Sequence, residues 1–276
     1  MKNASYAETT AGFARMFDLR DTSQASDRSR KAGSVGDLAD RRLIVHPEAD
    51  AVFVEQYRRL GAALHHAQVQ KGIRSVMVAS AVAAEGKTLS ATNLALVLSR
   101  FNKRVLLVDG DLRKPSVHEL LRIENGIGLS DILKRPGGRL TAQTLSPTLS
   151  VITAGHHDSD PVALLVSDAA VQFLAEAREH FDCVVVDTPP IVLFPDAGLF
   201  ADRLDTCVLV VSAATTASPV AATAVEAIGA SRILGVVLNR AERCEIAEGY
   251  DYGYYGYLGS GDARSRSAWR RSPSRP

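Results

Sequence analysis

The sequence predicts an α/β fold with a mostly parallel sheet flanked by helices on both faces, which gives three layers. Two observations support this prediction. The apolar runs Val105–Val108, Cys183–Val186 and Cys207–Val211 are continuous, not alternating, as expected of strands covered on both faces. Segments with apolar residues at helical spacing separate these runs, and regular alternation of strands and helices favours parallel pairing.

The predicted strands are short apolar segments, most of them closed by polar residues. In chain order they are Ser75–Ala79, Arg104–Asp109, Leu149–Thr153, Cys183–Asp187, Thr206–Ser212 and Ile233–Leu238. The predicted helices carry apolar residues at helical spacing. In chain order they are Ala51–Leu64, Leu89–Arg100, Ser116–Leu121, Leu129–Leu133, Pro161–His180 and Pro219–Ala230. Proline in the first turn of the last two helices costs no intrahelical hydrogen bond.

The composition is that of a soluble globular protein. The chain has 276 residues, 46% of them hydrophobic, and a formal net charge of +1, so nothing indicates a nucleic-acid partner. No apolar run approaches the roughly 20 residues of a membrane-spanning helix, and residues 1–10 lack the apolar core of a signal peptide. Three scattered cysteines fit a reducing cytoplasm.

The ends of the chain differ from its middle. Residues 1–45 are polar and show no persistent period, which predicts a disordered arm. Residues 46–242 carry the regular pattern and form the predicted folded domain. Residues 243–276 change to Tyr and Gly and then to Arg, Ser and Pro, which predicts a flexible tail.

A phosphate-binding loop is predicted between the first strand and the helix that follows it. Ala81–Thr88 has the spacing G-x-x-x-x-G-K-[ST], with Ala81 in place of the first glycine. In this arrangement backbone N–H groups at a helix N-terminus face phosphates, the lysine reaches the β- and γ-phosphates, and the Thr hydroxyl binds Mg²⁺. The residues expected to bind ATP here are Ala84, Glu85, Gly86, Lys87, Thr88 and Leu89.

Carboxylates follow two further strands. Asp109 and Asp111 end the strand before Arg113, and Asp187 ends the strand before Thr188 and two prolines. Ligands of open α/β sheets bind at the carboxyl ends of strands, so these acids are expected near the phosphate loop. Asp111 and Asp187, with Thr88, are the predicted Mg²⁺ ligands, and Asp109 or Asp111 is the predicted base. Arg113 is expected to contact the nucleotide or the loop.

Together the three motifs resemble the bacterial tyrosine kinases of capsule and exopolysaccharide synthesis, which belong to a wider class of deviant phosphate-loop ATPases. The resemblance covers about residues 54–257. In septum- and partition-positioning ATPases of that class a signature lysine would fall at Val82, so its absence favours the kinases. The resemblance implies ATP and Mg²⁺ as cofactors, and Lys87, Asp109 and Asp111 as catalytic residues. It also implies tyrosine autophosphorylation that regulates polysaccharide polymerisation and export.

Five of the seven tyrosines lie close together after the predicted domain. Interleaved with Gly and Asp, they are poor core material, and they resemble the phosphoacceptor cluster of the kinases. The expected phosphoacceptors are Tyr250, Tyr252, Tyr254, Tyr255 and Tyr257. A low-complexity interaction segment is the alternative interpretation of this stretch.

The family also carries an E-x-x-R-x-x-R pattern on its early helix that contributes to subunit contacts. Here Glu55 and Arg58 match the pattern, but Gly61 stands in place of the second Arg. The resemblance implies a homo-oligomer, a ring in that family, with Glu55 and Arg58 as contacts, although both would also suit a solvated helix face. The missing second Arg puts the stability of such a ring in doubt.

The resemblance further implies a membrane chain-length regulator as activator, other proteins phosphorylated on tyrosine, and a cytoplasmic kinase that this partner recruits to the inner face of the plasma membrane. Two other functions stay open. A positioning ATPase would hydrolyse ATP without forming phosphotyrosine. A non-catalytic nucleotide-binding regulator of export would only bind the nucleotide.

Overall fold

A computed structural model describes residues 17–21, 40–135, 140–213 and 215–241, with the backbone alone at residues 17–21 and 140. The chain divides into two compact units, residues 1–239 and 240–276. The fold described below is that of the first unit. None of the helices in the described ranges combines the length and the apolarity of a membrane-spanning segment.

The strands of the described chain form one eight-stranded sheet. In chain order they are β1 Phe17–Asp21, β2 Ser75–Ser80, β3 Val105–Asp109, β4 Leu140–Ser146, β5 Leu149–Ile152, β6 Cys183–Asp187, β7 Thr206–Ser212 and β8 Ile233–Asn239. Their order across the sheet is β1-β4-β5-β3-β6-β2-β7-β8. The hairpin of β4 and β5 is antiparallel, and every other pair is parallel.

The α-helices cover both faces of this sheet. They are α1 Ala51–Lys71, α2 Lys87–Arg100, α3 Val117–Leu121, α4 Leu129–Leu133, α5 Pro161–Val166, α6 Asp168–His180, α7 Pro195–Arg203 and α8 Ser218–Ile228. The mostly parallel, three-layer α/β fold predicted from the sequence is therefore confirmed.

Two hydrophobic clusters hold the layers together. Alternate residues of each central strand enter opposite clusters, as the pleat requires. In β3, Leu106 and Val108 pack with Phe173 of α6, whereas Val105 and Leu107 pack on the other face with Leu94 of α2. Because both faces are covered, the interiors of β3, β6 and β7 are apolar at successive positions, which explains the continuous runs in the sequence.

Several elements differ from their predicted form. The single helix predicted over residues 161–180 is two helices, because Ser167 has extended backbone (ψ 156°) and its hydroxyl caps α6 at the N–H of Ala170. Strand β4 and helix α7 were not predicted. In β4 polar residues interrupt the apolar ones, and α7 follows a loop whose apolar residues obscured its start.

Two parts of residues 1–45, Phe17–Asp21 and residues 40–45, also take part in the described fold. Phe17–Asp21 forms the edge strand beside β4. Leu43 is fully buried, and the backbone N–H of Ile44 donates to the side chain of Asn93 on α2 at 2.9 Å. Both stretches are too short to show a period in the sequence.

Gly61 lies where α1 packs against α2. A Cβ at this position would lie 2.4 Å from Cγ1 of Val97 and 3.3 Å from Cε2 of Phe101. Val97 is itself buried and cannot move aside. Glycine therefore permits the close approach of the two helices, and this buried position has no room for an arginine.

We expect Gly61→Ala to lower the free energy of unfolding by about 1–3 kcal/mol, because overpacking outweighs the gain in helix propensity of about 1 kcal/mol. Urea unfolding measures this change. Gly198 on α7 is the matched control, since a Cβ there meets nothing within 4 Å. Gly198→Ala should stabilise the protein by roughly 0.5–1 kcal/mol. Equal effects of the two substitutions would contradict the packing argument.

Candidate active site

The loop between β2 and α2 has the backbone of a phosphate-binding loop. Ala84 and Gly86 adopt positive φ angles of 65° and 95°, which turn the chain sharply into the first residue of α2. Helix α2 is 14 residues long, so the loop presents the N-terminal end of a full helix dipole to a ligand. This geometry suits an anion such as a phosphate group.

The sheet topology brings the three sequence motifs together. Strand β6 lies between β3 and β2, so the carboxyl ends of these three strands are neighbours. Asp109 of β3 is the register partner of Asp187 in β6, and Asp187 is the register partner of Val78 in β2. Residues more than 20 positions apart in the sequence therefore meet at one edge of the sheet, as predicted.

Lys87 is the centre of this site. Its Nζ lies 2.9 Å from Oδ2 of Asp111 and 3.5 Å from Oδ1 of Asp187, and its side chain is largely buried. Burial disfavours the charged ammonium, but the carboxylates of Asp187 and Asp111 outweigh burial and raise the pKa of Lys87. The lysine is therefore a protonated cation throughout the neutral pH range.

Asp187 has the properties of a metal-supporting carboxylate. It is fully buried, and its nearest charged neighbour is the ammonium of Lys87, 3.5 Å from Oδ1. Its burial raises the pKa of the carboxyl, while Lys87 opposes this effect. A buried carboxylate beside a threonine hydroxyl and a second carboxylate supplies the oxygen ligands that Mg²⁺ prefers, so the residues fit Mg²⁺. Thr88, Asp111 and Asp187 are the groups that would hold it.

Ser116 joins this group, although the sequence analysis did not select it. Its hydroxyl donates to Oγ1 of Thr88 at 3.1 Å and so orients the threonine expected to bind the metal. The available signal was its position just after the Asp-x-Asp-x-Arg motif.

The two acids of the second motif have different environments. Asp109 accepts backbone N–H groups from Asp111 (3.3 Å), Ser116 (3.1 Å) and Val117 (3.0 Å), so it caps the start of α3. Burial and the carboxylate of Asp187 raise the pKa of Asp109. Asp111 instead accepts from Lys87 with one oxygen and from the backbone of Lys114 with the other. Of the two, Asp111 makes the direct contact with the reactive lysine.

Arg113 is held by a buried acid. Its guanidinium donates two hydrogen bonds, at 2.7 and 3.0 Å, to Asp196 of α7, and it stacks 4.8 Å from the ring centroid of Phe194. Asp196 is 1% exposed, whereas the Arg113 side chain is one third exposed. The Arg113 side chain thus contacts α7 and the residue before it, and its predicted contact with the nucleotide or the phosphate loop stays a prediction. Asp196 was not among the site residues predicted from the sequence.

Two residues predicted to bind ATP direct their side chains elsewhere. Leu89 packs against the cluster beneath α1 and α2. The carboxylate of Glu85 is buried and contacts the turn after β7. For these two positions, only the backbone is left for a contact with the nucleotide.

The remaining predicted residues lie away from this cluster or outside the described chain. Glu55 and Arg58 on α1 form an ion pair of 3.6 Å along the helix surface, with Arg59 at 4.0 Å from the same carboxylate. The tyrosines predicted as phosphoacceptors, residues 250–257, lie outside the described residues.

Comparison with known proteins agrees with this geometry. Residues 72–254 match the ParA family model described as "NUBPL iron-transfer P-loop NTPase". The chain is 36% identical to the tyrosine-protein kinase YwqD of Bacillus subtilis over 225 residues, which is 80% of this chain and 94% of the relative. It is 31% identical to the tyrosine-protein kinase Wzc of Salmonella typhi, but spans 35% of the length of that relative.

Among solved structures, the kinase domain of the Escherichia coli tyrosine kinase ETK is similar with a TM-score of 0.68 and 29% identity, over 84% of this chain and 90% of that one. The fold and the loop geometry thus define a ParA-type P-loop NTPase domain, a class that binds nucleotides. Within this class, the chain belongs to the bacterial tyrosine kinases. The protein is a protein-tyrosine kinase.

The different environments of Asp109 and Asp111 predict that substitution of Asp111 lowers activity, whereas substitution of Asp109 lowers stability. We expect Asp111→Asn to lower kcat by roughly 100-fold or more, because it removes a group next to the reacting atoms. Asp109→Ala should instead lower the melting temperature, because the loss of a helix cap costs about 1–2 kcal/mol. Steady-state kinetics and calorimetry on both variants separate the two roles. A larger loss of kcat in a well-folded Asp109→Ala protein would reverse the assignment.

Proposed function

We propose that this protein is an ATP-dependent tyrosine autokinase that phosphorylates the tyrosine cluster near its C-terminus in trans. The observation that carries this proposal is the position of Lys87, buried at the helix N-terminus between two strand-end carboxylates. The site is thus built for phosphoryl transfer, and the family acts on tyrosine. The acceptors are Tyr250, Tyr252, Tyr254, Tyr255 and Tyr257.

In this proposal ATP binds with its phosphates on the loop from Ala84 to Thr88. Lys87 neutralises negative charge on the transferred phosphoryl group. Thr88, Asp111 and Asp187 would hold Mg²⁺, which would supply charge neutralisation and orientation at the phosphates. Asp109 or Asp111 accepts the proton of the attacking phenol, whose ordinary pKa near 10 leaves it protonated at neutral pH. The ion pair of Arg113 with Asp196 joins the loop after β3 to α7.

The proposal extends to the partners of the kinase. Names such as "Putative tyrosine-protein kinase in cps region", given to a Klebsiella pneumoniae relative, support a role in the synthesis and export of capsular polysaccharide. The solved structure titled "chimerical protein CapA2B2" supports assembly with a second protein. We infer that the kinase forms a homo-oligomer with Glu55 and Arg58 at its contacts, and that it phosphorylates further proteins on tyrosine. We also infer that it is cytoplasmic and that a chain-length regulator in the membrane recruits and activates it.

A direct test is incubation of the purified protein with labelled ATP and Mg²⁺, followed by mapping of phosphotyrosine by mass spectrometry. We expect label on the tyrosines of residues 250–257 that disappears when EDTA removes the metal. A parallel reaction with a membrane fraction tests the dependence on an activator. ATP hydrolysis without phosphotyrosine in both reactions would contradict the proposal and favour a positioning-type ATPase.

A further inference from the structure

The phosphate loop contains a buried carboxylate that the proposed reaction does not use. Glu85 is 1% exposed, and its Oε2 accepts the backbone N–H of Val82 at 2.9 Å, within the loop itself. Its Oε1 accepts the hydroxyl of Thr216 and the backbone N–H of Ser212 at 3.4 Å. Among the described residues, no cationic side chain forms a salt bridge with Glu85. Its charge is met by hydrogen-bond donors alone.

The backbone of Glu85 is also held by a hydrogen bond, from the end of the strand next to β7. Nδ2 of Asn239, at the end of β8, donates to the carbonyl oxygen of Glu85 at 2.8 Å. The next residue, Gly86, has a φ of 95°, and a Cβ on it would lie 2.2 Å from that Asn239 nitrogen. The turn after β7 also binds β8, because the N–H of Ala213 donates to the carbonyl of Asn239 at 2.9 Å. One network thus ties the phosphate loop to the ends of two strands.

We propose that Glu85 is a positioning residue that couples the phosphate loop to the turn after β7, of which residues 212, 213, 215 and 216 are described. By accepting the N–H of Val82, the carboxylate fixes the loop conformation that aims the other amides at phosphates. By accepting hydrogen bonds from Thr216 and Ser212, the same carboxylate makes the position of the turn depend on the conformation of the loop. Occupation of the loop by a nucleotide therefore orders the turn as well. This inference rests on the proposed nucleotide binding.

A carboxylate is required for this role. All three partners of Glu85 are donors, and an ionised carboxylate offers acceptor positions to all of them. In Glu85→Gln the amide nitrogen can only donate, so at least one of these donors loses its acceptor. A buried donor without a partner is costly, and the loss falls on the loop, the turn or both.

The test compares wild-type protein with Glu85→Gln, Thr216→Val and, as matched control, the exposed Glu176→Gln of α6. Hydrogen exchange with and without Mg-ADP measures the protection of the backbone amides in the phosphate loop and in the turn after β7. Calorimetric titration measures the affinity for Mg-ADP. In the wild type we expect Mg-ADP to slow exchange in both the loop and the turn. In Glu85→Gln we expect about tenfold weaker binding, with the protection of the turn lost. Glu176→Gln should match the wild type.

Thr216→Val leaves the loop sequence intact and replaces a hydroxyl by a methyl group, so it tests the coupling if Glu85→Gln fails to fold. It should also lose the nucleotide-dependent protection of the turn. A purely structural role would lower the melting temperature and leave that protection in place, which would overturn the inference, as would wild-type affinity in both variants. Wild-type protein that binds no Mg-ADP would instead overturn the proposed function, and this inference with it.

Discussion

Lys87→Met is expected to reduce tyrosine phosphorylation by about 100- to 1,000-fold, measured as initial rate at saturating ATP. Lys87 is the only cation among the described residues that lies between Asp111 and Asp187. Its charge acts in a buried site, where a fixed cation stabilises developing phosphoryl charge more than it would in water. A methionine of similar length fills the same space but offers no charge and no hydrogen-bond donor.

The same substitution leaves two buried carboxylates without their cation. Breaking a buried ion pair on one side commonly costs about 3–5 kcal/mol, so the variant must be shown to fold before its rate is interpreted. Circular dichroism and a melting curve serve this purpose. Lys114→Met is the control, because Lys114 lies near the site in sequence but is exposed. It should retain the wild-type rate. A folded Lys87→Met protein with a near-normal rate would exclude this site for the transfer.

The parts of the site that the sequence predicts are those set by local spacing. Lys87 and Thr88 follow a strand and open a helix, and Asp109, Asp111 and Asp187 end strands whose apolar runs are plain in the sequence. In a parallel sheet, such strand ends meet at one edge whatever the side chains. Three motifs in this order therefore predict both the fold and the centre of the site.

The contacts that the sequence did not predict join residues far apart in the chain. Arg113 meets Asp196 across 83 positions, and Glu85 meets Thr216 across 131. Sequence periodicity cannot predict such pairs, because they depend on how two distant segments of the chain approach each other in the folded protein. The residue types were visible, but their partners were not. Gly61 is similar, since its importance depends on the distance between two helices.

The predicted acceptors give the second large effect. Replacing Tyr250, Tyr252, Tyr254, Tyr255 and Tyr257 together by phenylalanine is expected to abolish most self-labelling, because phenylalanine has no nucleophilic oxygen. The kinase domain is unchanged by these substitutions, so Mg-ADP should bind with wild-type affinity. Intact-mass measurement after incubation with Mg-ATP counts the phosphates per chain. Undiminished labelling in the five-fold variant would show that the acceptors lie elsewhere.

Mixing variants then tests transfer between molecules. The Lys87→Met chain has acceptors but a disabled site, and the five-fold Phe chain has a site but lacks these acceptors. If transfer occurs in trans, the mixture should place phosphate on the Lys87→Met chain, although neither protein alone is labelled. The initial rate should then rise with the concentration of the five-fold Phe chain. If transfer were confined to one molecule, the mixture would stay as unlabelled as its components. The oligomer proposed from Glu55 and Arg58 would then not be required for phosphoryl transfer.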